Sequence, residues 1–216
     1  MKTWLAEFLG TALLVTAVVG SASMGTNLTD DSLLQLVVNM LATVLVLGVC
    51  ITIFGPISGA YFNPVVTVML AIRNRQFNSS MISYFSAQVV GGFSGAVLAN
   101  LMYVEKFMVF SDKNRGLVTN YLGEFIATSV LVLIIVLTLE NKRESTLGFL
   151  VPAWIGAAYF ATVSTSFANP AVTIARIFTG NSSGINFQSA LSFIFVQFIA
   201  GFGGLKLAMV LSHRRR

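Results

Sequence analysis

Six stretches of this sequence are each about 20 residues long and nearly free of charge, near residues 3–24, 33–54, 80–103, 119–139, 147–163 and 187–211. Each is long enough to cross the roughly 30 Å hydrocarbon core of a bilayer as an α-helix. That one feature leaves few folds open. The chain is 56% hydrophobic and 10% charged, whereas a soluble domain carries about 25% charged residues. The reading is an all-α integral membrane protein with lipid as its solvent. The net charge of +5 does not point to nucleic acid, because the basic residues stand at the ends of apolar runs and in the tail from His213 to Arg216. His213 has no partner at metal-ligand spacing and reads as an exposed tail residue, while Cys50, the only cysteine, reads as a small core residue. The first run mimics a signal peptide with small residues at Gly20-Ser21-Ala22-Ser23, but Glu7 inside it argues for a retained helix.

Two apolar segments are left over, Asn63 to Ile72 and Asn169 to Thr179. As helices of about ten residues they are about 15 Å long and reach half-way across a bilayer. Both open on Asn-Pro, where Asn caps exposed backbone N–H groups and Pro suits the first helical position. The surroundings repeat as well: Ser58-Gly59-Ala60-Tyr61-Phe62-Asn63-Pro64-Val65-Val66-Thr67 is echoed by Thr165-Ser166-Phe167-Ala168-Asn169-Pro170-Ala171-Val172-Thr173. Further out, Trp4-Leu5-Ala6-Glu7-Phe8 resembles Tyr121-Leu122-Gly123-Glu124-Phe125, and Gln88-Val89-Val90-Gly91-Gly92 resembles Gln197-Phe198-Ile199-Ala200-Gly201. The halves, about 1–110 and 111–216, therefore hold three spans each. An odd number of crossings inverts the second half, so the two half-helices enter from opposite faces and meet at the midplane. Counting basic residues puts both termini on the cytoplasmic side. That side then carries Lys2, Arg73, Arg75, Lys142, Arg143, Lys206, Arg214, Arg215 and Arg216, and the outside carries Lys106, Lys113, Arg115 and Arg176.

Non-helical backbone is tolerated in a membrane only where it is buried in protein or lines a watery path. Residues 58–62 and 164–168 are thus expected to line a pore, offering a ladder of carbonyl acceptors, with the Asn63 and Asn169 amides as donors at its centre. Ser58, Gly59, Ala60, Tyr61, Thr165, Phe167 and Ala168 belong to those loops, and Pro64 and Pro170 to the midplane. The positive ends of two half-helix dipoles would oppose a cation there. Such a lining suits small neutral solutes that form hydrogen bonds.

On these residues the sequence resembles the aquaporin and glycerol-facilitator family, over nearly the whole chain, with the family's paired Asn-Pro-Ala boxes present as Asn63-Pro64-Val65 and Asn169-Pro170-Ala171. The resemblance implies six transmembrane helices plus two re-entrant half-helices, a pore in every subunit and a homotetramer. It implies that Glu7 and Glu124 brace the half-helix loops through backbone N–H groups. The family usually has Arg three residues beyond the second Asn, where this chain has Val172; Arg176, one turn further on, is placed at the outer mouth. Counting along the family's spacing puts Thr43, Ala157 and Ser166 with Val172 at the selectivity filter, four modest side chains that imply a wide filter without Arg. Water, glycerol or similar polyols, and neutral metalloid hydroxides such as arsenous acid are then the expected solutes. An ion or anion channel on the same fold is the alternative.

No cofactor or metal is called for, and an intramembrane enzyme is disfavoured by the lack of a nucleophile with a base, a His-rich set or a converging carboxylate pair. A non-conducting adhesive membrane protein is the remaining rival. Gly91 and Gly95, like Ala200 and Gly204, form small-xxx-small patterns for close helix packing. A bacterial inner membrane is the expected location.

Overall fold

A computed structural model describes residues 1–103 and 106–213, His213 by its backbone alone; the tail arginines Arg214, Arg215 and Arg216 of the charge count, and the His213 side chain, lie outside the described residues. The helices run in chain order as α1 (Lys2–Leu28), α2 (Ser32–Ser58), α3 (Pro64–Asn74), α4 (Ser80–Tyr103), α5 (Val118–Glu140), α6 (Leu147–Ala161), α7 (Pro170–Ala175) and α8 (Phe187–His213). Five of them, α1, α2, α4, α5 and α8, are long and apolar enough to cross a membrane. At 15 residues α6 is shorter, about 22 Å. A 3-10 turn at Glu144–Thr146 leads into it, and it stops two residues before the expected end because Thr162 turns extended, at φ −127° and ψ 142°.

The repeat governs the packing. In the first half α1 packs on α2 and α4, in the second α5 packs on α6 and α8, and the halves meet where α2 lies against α6. The close approaches fall on the small residues: a Cβ on Gly91 would lie 2.4 Å from Phe8 O, one on Gly95 2.3 Å from Ala12 O, and one on Gly204 2.1 Å from Ser129 O. Apolar side chains cover the outside instead of hiding from it. On α2 Leu41, Leu45, Val49, Ile53 and Ile57 form an exposed stripe at four-residue spacing, which suits a lipid-facing helix surface.

Both half-helices start as their sequences dictate. Asn63 Oδ1 accepts from Val65 N at 3.0 Å and Asn169 Oδ1 from Ala171 N at 2.9 Å, each with Pro following at the first helical position. Their lengths differ. Whereas α3 has 11 residues, α7 has six and tightens into a 3-10 turn at Arg176–Phe178. The sequence predicts helix as far as Thr179 in the second segment. The helix stops because its last carbonyls are taken from outside: Arg176 O by Ile185 N, Ile177 O by Ser111 N, and Phe178 O by Val109 N and the Asn100 amide.

Candidate functional site

The loops before the half-helices adopt a conformation that needs support. Residues four, three and one before each Asn have positive φ: Gly59 (86°), Ala60 (52°) and Phe62 (48°) in the first loop, Thr165 (60°), Ser166 (52°) and Ala168 (46°) in the second. For residues other than Gly this costs on the order of 1–3 kcal/mol each unless the surroundings over-determine it. The surroundings are two fully buried carboxylates. Glu7, from α1, accepts from Tyr61 N (3.0 Å), Phe62 N (2.7 Å), Ser58 Oγ (2.6 Å) and Gln88 Nε2 (2.8 Å). Glu124, from α5, accepts from Phe167 N (2.8 Å), Ala168 N (2.8 Å) and Gln197 Nε2 (2.6 Å). A buried carboxylate without such donors costs several kcal/mol. Gln88 and Gln197, which mark the repeat in the sequence, also reach Thr67 and Thr173 at 3.0 Å each, and so tie each carboxylate to its half-helix.

Where the half-helices meet, the loops are tied to each other. Asn63 Nδ2 donates to Ala168 O and Asn169 Nδ2 to Phe62 O, both at 2.8 Å. Each amide N carries two hydrogens, so one holds the opposite loop. The other is available to the cavity that both Asn residues line.

That cavity has a volume of about 660 Å³. Its lining runs from Arg73, Asn74 and Glu144 at the α3 end, past Asn63 and Asn169, to Arg176 at the α7 end. Regular stripes form its walls: Thr43, Leu47, Ile51 and Gly55 from α2, and Val151, Ile155 and Tyr159 from α6, each at the four-residue spacing of one helix face. Gly59, Ala60, Tyr61, Phe167 and Ala168 of the loops line it as well. Ser58 and Thr165 do not; the Ser58 hydroxyl is turned to Glu7, and its carbonyl accepts from Tyr84 Oη at 2.6 Å. The expected carbonyl ladder is therefore shorter, since residues 58, 164 and 165 do not line the cavity. Pro64 and Pro170 are buried behind the lining.

Of the four filter positions expected from the sequence, Thr43, Ser166 and Val172 face the cavity. Ala157 does not: it is exposed on the outer face of α6. Tyr159 stands there instead, its hydroxyl 3.1 Å from Thr43 Oγ1. Arg176 also reaches the lining, only 3% exposed, with its guanidinium carbon 3.4 Å from the centre of the Phe167 ring and Nε donating to Ser183 O at 2.5 Å. Beside it, Arg115 donates to Gly184 O (2.9 Å) and Ser182 O (3.1 Å), and Lys113 Nζ to Ser182 O (2.6 Å). Burial and the neighbouring Arg115 and Arg176 lower the Lys113 ammonium to about 8. None of the three cations is ion-paired: among the described residues the one ion pair is Arg73 with Glu140, 2.8 Å apart at the other end. No group of three or more His, Cys, Asp or Glu could hold a metal among the described residues.

Apolar spanning helices, two half-helices meeting at their capped N-termini and a polar-centred cavity between inverted halves define a transmembrane solute channel of all-α architecture. The major intrinsic protein family model matches residues 1–168. Aquaglyceroporin AqpS of Rhizobium meliloti is 42% identical over 202 residues, covering 94% of this chain and 86% of the relative. Aquaporin TIP2-3 of Arabidopsis thaliana is 30% identical over 185 residues, covering 82% and 74% respectively. The fold matches the crystal structure of the aquaglyceroporin from Plasmodium falciparum at TM-score 0.67 and 20% identity, over 98% of this chain and 95% of that one. The chain belongs to the major intrinsic protein family, the aquaporins and glycerol facilitators, and is a small-solute channel rather than an enzyme.

Proposed function

We propose that the chain is a passive channel for small uncharged solutes: water, glycerol or similar polyols, and neutral metalloid hydroxides such as arsenous acid. The observation that carries this reading is the cavity between the halves, apolar along α2, α5 and α6 and polar at the two Asn amides. A neutral hydroxylated solute slides along such walls and exchanges hydrogen bonds with Asn63 and Asn169 at the centre. The name of the aquaglyceroporin relative supports the same class. Size selection falls to Thr43, Tyr159, Ser166 and Val172; with Tyr159 in place of Ala157 the filter is narrower than four small side chains would make it. No arginine stands at position 172, which supports solutes wider than water.

The whole chain acts as one channel unit in this reading, its termini cytoplasmic on the basic-residue count, its copies assembled as homotetramers in a bacterial plasma membrane. Swelling and shrinkage of proteoliposomes in water, glycerol, urea and arsenous acid tests it, with rapid entry of all four expected and no flux above empty vesicles contradicting it. An anion channel is the second reading, favoured by the unpaired Lys113, Arg115 and Arg176 at one end. Currents whose reversal potential follows an anion gradient would replace the first reading with the second.

A further inference from the structure

We infer that the Tyr61 hydroxyl is the hydrogen-bond donor that carries hydroxylated solutes through the α3 half of the path, and that Tyr84 positions it. The inference rests on the channel reading above and adds to it a residue that determines specificity. It starts from the loop before Asn63, whose N–H groups are all turned to the protein. Gly59 N donates to Gly55 O, Ala60 N to Ser58 Oγ, and Tyr61 N and Phe62 N to the Glu7 carboxylate. The carbonyls of Gly59, Ala60 and Tyr61 accept from no donor among the described residues. The backbone there offers a solute acceptors only.

The other polar side chains short of the mouth residues Asn74, Glu144 and Ser145 are occupied. Thr52 Oγ1 donates to Gly48 O at 2.8 Å, and Arg73 is turned to Glu140 and Asn74. The walls between are apolar, with Leu70, Ile135, Leu139 and Val151 among them. Tyr61 lines this cavity, and its hydroxyl has no partner among the described residues without being shut off from the open space. Its ring is held in place. It lies tilted against Tyr84, ring centres 5.1 Å apart, and so close over Gly59 that a Cβ there would stand 2.7 Å from Tyr61 Cε1. Tyr84 is fixed in turn by its own hydroxyl, which donates to Ser58 O at 2.6 Å. Because Tyr84 is one turn into α4 and Ser58 ends α2, the ring stands on the α3 side of the Asn pair. Phe167, at the same place in the second loop, has no hydroxyl, so this donor belongs to the first half alone.

A polyol brings both donors and acceptors. In this half its O–H groups find the loop carbonyls, and its oxygens find the phenol. Without the phenol a solute oxygen crosses apolar walls with no donor and the barrier rises by about one hydrogen bond. Water depends on it less, because the next water in the file can donate instead.

The test reads glycerol and water flux by light scattering in proteoliposomes of the full-length protein, with the thermal midpoint in detergent as the check on folding. Tyr61→Phe keeps the ring and removes the donor: glycerol flux is expected to fall about fivefold, with water flux and midpoint largely kept. Tyr61→His returns an N–H donor and should recover part of the glycerol flux. Tyr84→Leu should lower glycerol flux by less, and should add nothing in the Tyr61→Phe background. A glycerol-to-water ratio unchanged in Tyr61→Phe overturns the inference while leaving the channel reading standing. Equal loss of both fluxes overturns it too, since that marks a narrowed path or a damaged fold and not a missing donor. No recovery in Tyr61→His overturns the donor role, additive losses in the double variant overturn the role of Tyr84, and absence of any wild-type flux overturns the inference and the channel reading together.

Discussion

The two half-helix boxes share one backbone and differ in their chemistry. Three, four and one residues before each Asn the chain has positive φ, each loop hangs from a buried Glu with a Gln beside it, and each Asn ties down the opposite loop at 2.8 Å. The contrast begins with the side chains at equivalent places. Two residues before Asn63, Tyr61 lies tilted against Tyr84, ring centres 5.1 Å apart, while two residues before Asn169, the Phe167 ring carries the Arg176 guanidinium. Seven residues beyond the Asn, Leu70 lines the cavity in one half and Arg176 in the other. Cations at the α3 end are offset, as Arg73 is by Glu140, whereas those at the α7 end are held by backbone carbonyls 182–184. The shared frame therefore explains why a path exists, and in the proposed function the unshared side chains set what it admits.

The largest effect is expected from breaking what the halves share. Glu124→Ala leaves Phe167 N and Ala168 N without an acceptor and the Gln197 amide with Thr173 Oγ1 alone, at about 1–3 kcal/mol for each buried group left unpaired. Glu7→Ala should be as damaging, and both should sharply lower the thermal midpoint in detergent; a mild effect in one half alone would show that the brace is not symmetric. Next comes copying the α7 chemistry into the α3 half. Leu70→Arg adds a charge midway along a path already lined by Arg73, Glu144 and Arg176, where Tyr61 is engaged by Tyr84, and glycerol flux is expected to fall about tenfold.

A smaller effect separates the two positions three residues before each Asn. Ser166→Ala removes an unpartnered hydroxyl, so stability should be unchanged within about 0.5 kcal/mol while glycerol flux falls severalfold, whereas Ala60→Ser should leave the flux unaltered. The smallest expected effect is the titration of Lys113. Its folded-state proton affinity is lowered to about 8 from an ordinary 10.5, so between those values the unfolded chain binds more protons than the folded one. Stability should then rise slightly as pH rises from about 8 towards about 10, and Lys113→Met should remove that slope in thermal unfolding.

Much of this frame is legible in the sequence because the repeat supplies two copies of every clue. Asn-Pro at 63 and 169, Glu7 with Glu124, and the runs too short to span all appear twice. What is not legible lies where the halves part company. The family's spacing points to Ala157, but the four-residue stripe Val151, Ile155, Tyr159 is the face turned to the cavity, and Ala157 sits about half a turn away from it. Helical periodicity alone marks that stripe in the sequence. The 3-10 end of α7 is not marked there, since it depends on donors from residues 109, 111 and 185 that only the fold brings near. The stacking of Arg176 on Phe167 is equally a product of tertiary structure, although the seven-residue spacing from Asn169 already put Arg176 on the path-facing side.

The most direct test of a wide path for neutral solutes is stopped-flow light scattering on proteoliposomes carrying the wild-type chain or Val172→Arg, challenged first with sucrose and then with glycerol. The account predicts rapid water and glycerol flux in the wild type, and in Val172→Arg a glycerol flux reduced about tenfold or more with water flux largely kept. Water flux without glycerol entry in the wild type, or glycerol entry indifferent to an arginine at position 172, would contradict it.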